Sequence, residues 1–150
     1  MKNLDFVPKA KTTKGSKIIL EDNKTLIDGV SSWWTSCHGY NHPYILDAMN
    51  KQLMEMPHIM FGGFSHSPAE KLATKLVGMF KDVYEHVFFV DSGSVAIEVA
   101  MKMSIQYWLN KGRKTKKKFI CFKNSYHGDT LGAMSVCDPE DSMHSLFSGY

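Results

Sequence analysis

At 150 residues, with 43% apolar and 12% aromatic side chains, the chain has the length of one globular domain and too much apolar content for a disordered one. Its net charge of +3 owes much to Arg113, Lys114, Lys116, Lys117 and Lys118, a run without interleaved aromatics that reads as a solvated loop and not as a nucleic-acid surface. No apolar run approaches the ~20 residues of a membrane span, and the polar start Met1-Lys2-Asn3-Leu4-Asp5 lacks the apolar segment of a signal peptide.

Taken in chain order, Lys17-Ile18-Ile19-Leu20-Glu21 and Thr25-Leu26-Ile27-Asp28 predict two strands around the polar turn Asp22-Asn23-Lys24, with Gly29 closing the hairpin. Trp33-Trp34 follows among small residues; in an extended segment one indole would turn inward and the other would be free to line a pocket. Pro43 suits the first position of a helix whose apolar stripe is Ile45, Met49, Leu53 and Met56 and which ends before Pro57. The apolar, glycine-bearing stretch from His58 to His66 is expected to pack on its own core or on another subunit. Ser67-Pro68-Ala69-Glu70 is a capping-box pattern that opens a second helix, with Leu72, Leu76 and Phe80 as its buried stripe.

Val87-Phe88-Phe89-Val90 reads as a strand covered on both faces, and Asp91-Ser92-Gly93-Ser94 leads from it into a helix carrying Ala96, Val99, Ala100 and Met103 and stopping at Gly112. The first turn of such a helix has unpaired amides and the positive end of the dipole, so Gly93, Ser94 and the serine hydroxyls would accommodate a phosphate or carboxylate. A merely capped turn is the alternative for an isolated Ser-Gly-Ser. One crossover later, Phe119-Ile120-Cys121-Phe122 predicts a second buried strand running into Asn124-Ser125-Tyr126-His127-Gly128-Asp129. Ligands of open α/β sheets sit at the carboxyl ends of the strands, which puts both loops on the functional edge. Tyr126 offers a ring for stacking and a hydroxyl, and Gly128 allows a tight turn. Cys37, Cys121 and Cys137 form an odd set without a CxxC pair, which argues against a disulfide framework and for the cytoplasm. His38 and His42, four apart beside Gly39 and Pro43 and without nearby carboxylates, make a poor metal site.

Together, Ser31-Ser32-Trp33-Trp34, His38-Gly39-Tyr40-Asn41-His42-Pro43, the stretch from His58 to Gly63, the stretch from Asp91 to Met103, Tyr126-His127-Gly128-Asp129-Thr130 and the run from Gly132 to Pro139 carry a resemblance. They resemble the adenosylmethionine-8-amino-7-oxononanoate aminotransferases of biotin synthesis, which are class III, fold-type I, pyridoxal-phosphate transaminases. The resemblance implies an α/β fold: a mostly parallel sheet with flanking helices, preceded by a small amino-terminal hairpin. It divides the chain into an amino-terminal segment, 1–42, and the start of a large cofactor domain, 43–150. It implies pyridoxal 5'-phosphate as cofactor, with Gly93 and Ser94 on its phosphate and Tyr126 against its ring and the substrate. It implies Trp33, and less directly Trp34, at the substrate, with S-adenosylmethionine and 8-amino-7-oxononanoate as the small-molecule partners. A homodimer is expected, with the loop around Phe61-Gly62-Gly63 near its interface and no nucleic-acid or membrane partner.

In the family the lysine that links the cofactor, the aspartate beside the pyridinium nitrogen and a carboxylate-gripping arginine lie downstream of the position matching Tyr150. No catalytic residue is therefore assigned among these 150, and Lys102 is expected to have a surface or packing role. The sequence resembles an amino-terminal portion, from a shortened or split gene, and the chain alone is expected to be inactive and to bind cofactor weakly. The competing expectations are another class III transaminase acting on ornithine or 4-aminobutyrate, and a non-catalytic fragment needing a separate carboxyl-terminal chain. A basic nucleic-acid module is the weakest of them.

Overall fold

The computed structural model describes residues 6–81, 83–140 and 144–147. They fall into two compact units, Met1–His66 and Ser67–Tyr150.

In the first unit, strands β1 (Ala10–Lys14), β2 (Lys17–Leu20) and β3 (Thr25–Ile27) form an antiparallel sheet in that order. The predicted hairpin is β2 and β3, in the register Lys17 to Ile27, Ile18 to Leu26 and Ile19 to Thr25. Its turn closes by the Leu20 amide donating to the Lys24 carbonyl at 2.9 Å, with Asn23 left-handed at φ 64°, a conformation asparagine tolerates. The Asp22 carboxylate accepts the Lys24 amide at 3.1 Å and pairs with its ammonium at 3.0 Å, contacts that hold it below the usual carboxylate range. Strand β1 has no counterpart in the apolar pattern, because Ala-Lys-Thr-Thr-Lys does not alternate; its ladder to β2 defines it.

Helix α1 (Pro43–Glu55) has the predicted bounds, with Pro43 at its start and Met56 extended before Pro57. Its stripe residues Met49 and Leu53, and Met60, Phe61 and Phe64 beyond it, are exposed in the single chain. Within the 58–66 stretch, expected to pack on its own core or on another subunit, Phe61 stacks on His66 at 5.1 Å between ring centroids.

The second unit contains α2 (Ser67–Met79), α3 (Gly93–Asn110), a short α4 (Leu131–Met134) and a 3-10 turn, His144–Phe147. Helix α3 ends where predicted, with Lys111 as its cap and Gly112 left-handed at φ 74°. The apolar runs 87–90 and 119–122 join the helices in the expected order but form no strand ladder among the described residues, and Phe88 and Ile120 are exposed. Apolar patterning records a demand for burial; a strand also needs a neighbour offering its own backbone groups in register. The tightest burial lies at Gly128, Ala133, Cys137 and Asp138, where α4 and the loop before it fold together. Among the described residues no helix is long and apolar enough to cross a membrane.

Candidate functional site

The start of α3 has unused hydrogen-bond donors. Ser92 is extended (φ −154°, ψ 165°) and caps the helix by accepting the Val95 amide on its hydroxyl at 3.2 Å. The first intrahelical bond runs from the Ala96 amide to the Ser92 carbonyl at 2.9 Å. The amides of Gly93 and Ser94 therefore have no acceptor among the described residues. A Cβ built on Gly93 meets nothing within 4 Å, so the space beside those amides is open at the positive end of an 18-residue helix.

The loop 124–129 is held against this turn from below. Asp138, almost fully buried, accepts the Asn124 amide at 2.6 Å and donates its own amide to the Ser125 carbonyl at 3.0 Å. The Cys137 sulfur accepts the His127 amide at 3.1 Å, and its thiol donates to the Ala133 carbonyl at 3.2 Å. Gly128 (φ 131°) then passes so close to α3 that a Cβ there would lie 2.1 Å from the Ser94 hydroxyl oxygen and 2.9 Å from Ser94 Cα. Next along the loop, the Asp129 amide donates to the Ser94 hydroxyl oxygen at 3.2 Å, leaving the hydroxyl hydrogen to be donated elsewhere. One turn further along α3, Glu98 accepts the Gly132 amide at 3.2 Å.

Tyr126 completes the group. Its hydroxyl donates to the Asp129 carboxylate, which, with a smaller push from burial, raises the phenol above its ordinary value near 10. The residue is 60% exposed, so its aromatic surface lies at the edge of the group. Gly93, Ser94 and Tyr126, singled out in the sequence, are thus joined through Asp129, which was not. A raised phenol contributes its stabilisation below pH about 10 and loses it as pH rises through the folded value. Asp129→Asn, which keeps an acceptor but removes the charge, is expected to move the Tyr126 ionisation back toward its ordinary value. Ultraviolet difference titration of the phenolate against the parent measures it.

Trp33 and Trp34 belong to the first unit, and the extended segment that would have split them inward and outward does not form. Both are left-handed, at φ 59° and 70°, and both indoles are nearly four-fifths exposed. The rings of His38 and His42 meet edge to face with centroids 6.3 Å apart. Among the described residues no three His, Cys, Asp or Glu side chains gather as metal ligands.

The family model for class-III aminotransferases matches residues 2–150. An adenosylmethionine-8-amino-7-oxononanoate aminotransferase from Corynebacterium glutamicum is 48% identical over 137 residues, which are 91% of this chain and 32% of that protein. The solved structure of the enzyme of that name from Methanocaldococcus jannaschii superposes with a TM-score of 0.87 at 32% identity, covering 95% of this chain and 32% of its own. An amine transaminase from an uncultivated Pseudomonas species, solved in its PLP-bound form, gives a TM-score of 0.88 at 30% identity, with 97% of this chain and 33% of that one covered. The chain spans about a third of the length of these proteins. The fold these neighbours share is that of the fold-type I transaminases, and this chain belongs to the class-III aminotransferase family.

Proposed function

We propose that this chain carries the phosphate-holding turn and part of the substrate pocket of a pyridoxal-phosphate-dependent aminotransferase of biotin synthesis. The reaction would move an amino group from S-adenosylmethionine to 8-amino-7-oxononanoate, giving 7,8-diaminononanoate. The observation that carries the reading is the pair of amides at Gly93 and Ser94 that have no acceptor among the described residues, beside open space and linked through Asp129 to an exposed tyrosine. That set fits the cofactor, because a phosphate dianion takes several donors at a helix start while a flat pyridine ring takes a stacking partner.

Bound there, pyridoxal phosphate would supply the electron sink on which amino transfer depends. Gly93 and Ser94 would donate their amides to the phosphate, and the Ser94 hydroxyl, fixed by the Asp129 amide, would add a third donor. Tyr126 would lie against the ring, its hydroxyl kept protonated and oriented by Asp129. Trp33 and Trp34 would form an apolar wall for the substrate, excluding water from it. Exposed Met60, Phe61 and Phe64 support a homodimer in which this loop meets a second copy, and three free cysteines support the cytoplasm.

The amine transaminase likeness makes the amino donor the point to test. The full gene product is expected to form 7,8-diaminononanoate from 8-amino-7-oxononanoate with S-adenosylmethionine, and its gene to restore growth of a biotin-requiring strain lacking this step. Turnover confined to ornithine, 4-aminobutyrate or simple amines, without rescue, would discard the biotin assignment and leave the cofactor assignment standing.

A further inference from the structure

Four consecutive residues with side chains, Ser31, Ser32, Trp33 and Trp34, have φ of 51°, 49°, 59° and 70°. L-residues disfavour this conformation because Cβ crowds the following carbonyl, and left-handed residues ordinarily occur singly. The turn has its own backbone bonds, from the Trp34 amide to the Val30 carbonyl at 3.0 Å and from the Ser36 amide to the Ser31 carbonyl at 2.9 Å. A strained segment of this length persists only where its surroundings over-determine it.

The surroundings converge on one carboxylate. Asp28 accepts the Val30 amide on Oδ1 at 3.0 Å, and on Oδ2 the Ser32 amide at 2.6 Å and the Tyr40 hydroxyl at 2.5 Å. Both ends of this clamp are tied to the sheet region. The Asp28 amide donates to the Ser16 carbonyl at 2.9 Å, and Tyr40 exchanges backbone bonds with Gly15 at 3.1 and 2.7 Å. The Tyr40 hydroxyl, ahead of the backbone amides, holds the Asp28 carboxyl below its ordinary range, so the clamp is charged at neutral pH.

We propose that Asp28 is a positioning residue for substrate recognition: its carboxylate winds residues 31–34 into the left-handed turn that displays both indoles. The inference rests on Trp33 and Trp34 lining the substrate pocket. Asp28 touches no substrate in this scheme and acts only through the tryptophans.

The test uses the full gene product carrying Trp108→Phe, so that Trp33 and Trp34 are the only indoles among these 150 residues. Adjacent indoles give an exciton-coupled circular dichroism signal that depends on their mutual orientation. Asp28→Ala is expected to abolish that signal and raise KM for 8-amino-7-oxononanoate roughly tenfold, leaving kcat and the absorbance of bound cofactor close to the parent's. Adding Ser31→Gly and Ser32→Gly, which remove the Cβ penalty at two left-handed positions, is expected to restore part of both. If Asp28→Ala does not fold, Asp28→Asn and Tyr40→Phe, each removing less of the clamp, are expected to change both readouts in the same direction. Unchanged signal and KM in the Asp28 variants, with KM raised in Trp33→Ala, would overturn the positioning role and leave the pocket reading intact. Unchanged KM in Trp33→Ala and Trp34→Ala would overturn the pocket reading and the inference with it.

Discussion

Gly128→Ala is expected to cost the protein both stability and its grip on the cofactor. The new Cβ would fall 2.1 Å from the Ser94 hydroxyl oxygen, 2.7 Å from Ser94 Cβ and 2.9 Å from Ser94 Cα. The hydroxyl could rotate away, but Cβ and Cα belong to the first turn of α3 and cannot. Gly128 also sits at φ 131°, where a side chain is strained even with space around it. Loop and helix must therefore separate, breaking the Asp129 to Ser94 bond and displacing Tyr126. Overpacking of this kind costs about 1–3 kcal/mol, and a shift of about 1 Å in a binding constellation costs roughly a hundredfold in function. Gly132→Ala is the matched control. The three atoms nearest its Cβ would all belong to the carboxylate end of Glu98, 2.7 to 3.0 Å away, on a flexible side chain that can swing aside. The control loses about 1 kcal/mol, the worth of one hydrogen bond, and little cofactor affinity. Denaturation midpoints and cofactor titrations of both variants decide the matter, and equal losses would refute a special contact at Gly128.

Gly93→Val is expected to do the opposite to stability while removing phosphate recognition. Nothing lies within 4 Å of the Cβ position, and the backbone there is outside the left-handed region, so a side chain is accommodated without strain. Replacing glycine at a compatible position reduces the freedom of the unfolded chain, a gain of about 0.4–1 kcal/mol for alanine and less for valine. The two methyl groups would occupy the open space beside the Gly93 and Ser94 amides. Pyridoxal phosphate affinity is expected to fall at least roughly tenfold, about the worth of one charge-assisted hydrogen bond. The parent's preference for phosphorylated over unphosphorylated pyridoxal should shrink with it. Titrating both ligands against parent and variant measures this. An undiminished preference for the phosphorylated ligand would mean that the phosphate is held elsewhere.

Local chemistry was legible in the sequence wherever one or two neighbouring residues suffice. Pro43 started a helix because a missing amide costs nothing at that position, and Gly112 ended one because it enters the left-handed region freely. The Asp22-Asn23-Lys24 turn and the capped start of α3 at Gly93 and Ser94 follow the same logic. Tyr126 stood out as a stacking ring with a hydroxyl beside a glycine turn, and the ordered motifs, shared in kind with a known family, pointed to the class-III aminotransferases.

Tertiary structure decided what depends on residues distant in sequence. The Asp129 to Ser94 and Gly132 to Glu98 bonds span 35 and 34 residues, and no local pattern reports that Gly128 must lack a side chain to let them form. Strand β1 exists because β2 offers it a ladder, whereas the more apolar runs 87–90 and 119–122 have no ladder among the described residues. The left-handed turn at Ser31 to Trp34 opposes local preference at every step, and the nearby carboxylate that bonds it, Asp28, is itself anchored by Tyr40, twelve residues away. Propensity, capping and turn chemistry act between neighbours and are written in the sequence; hydrogen bonds and close contacts across long loops are decided only when the folded backbone brings their partners together.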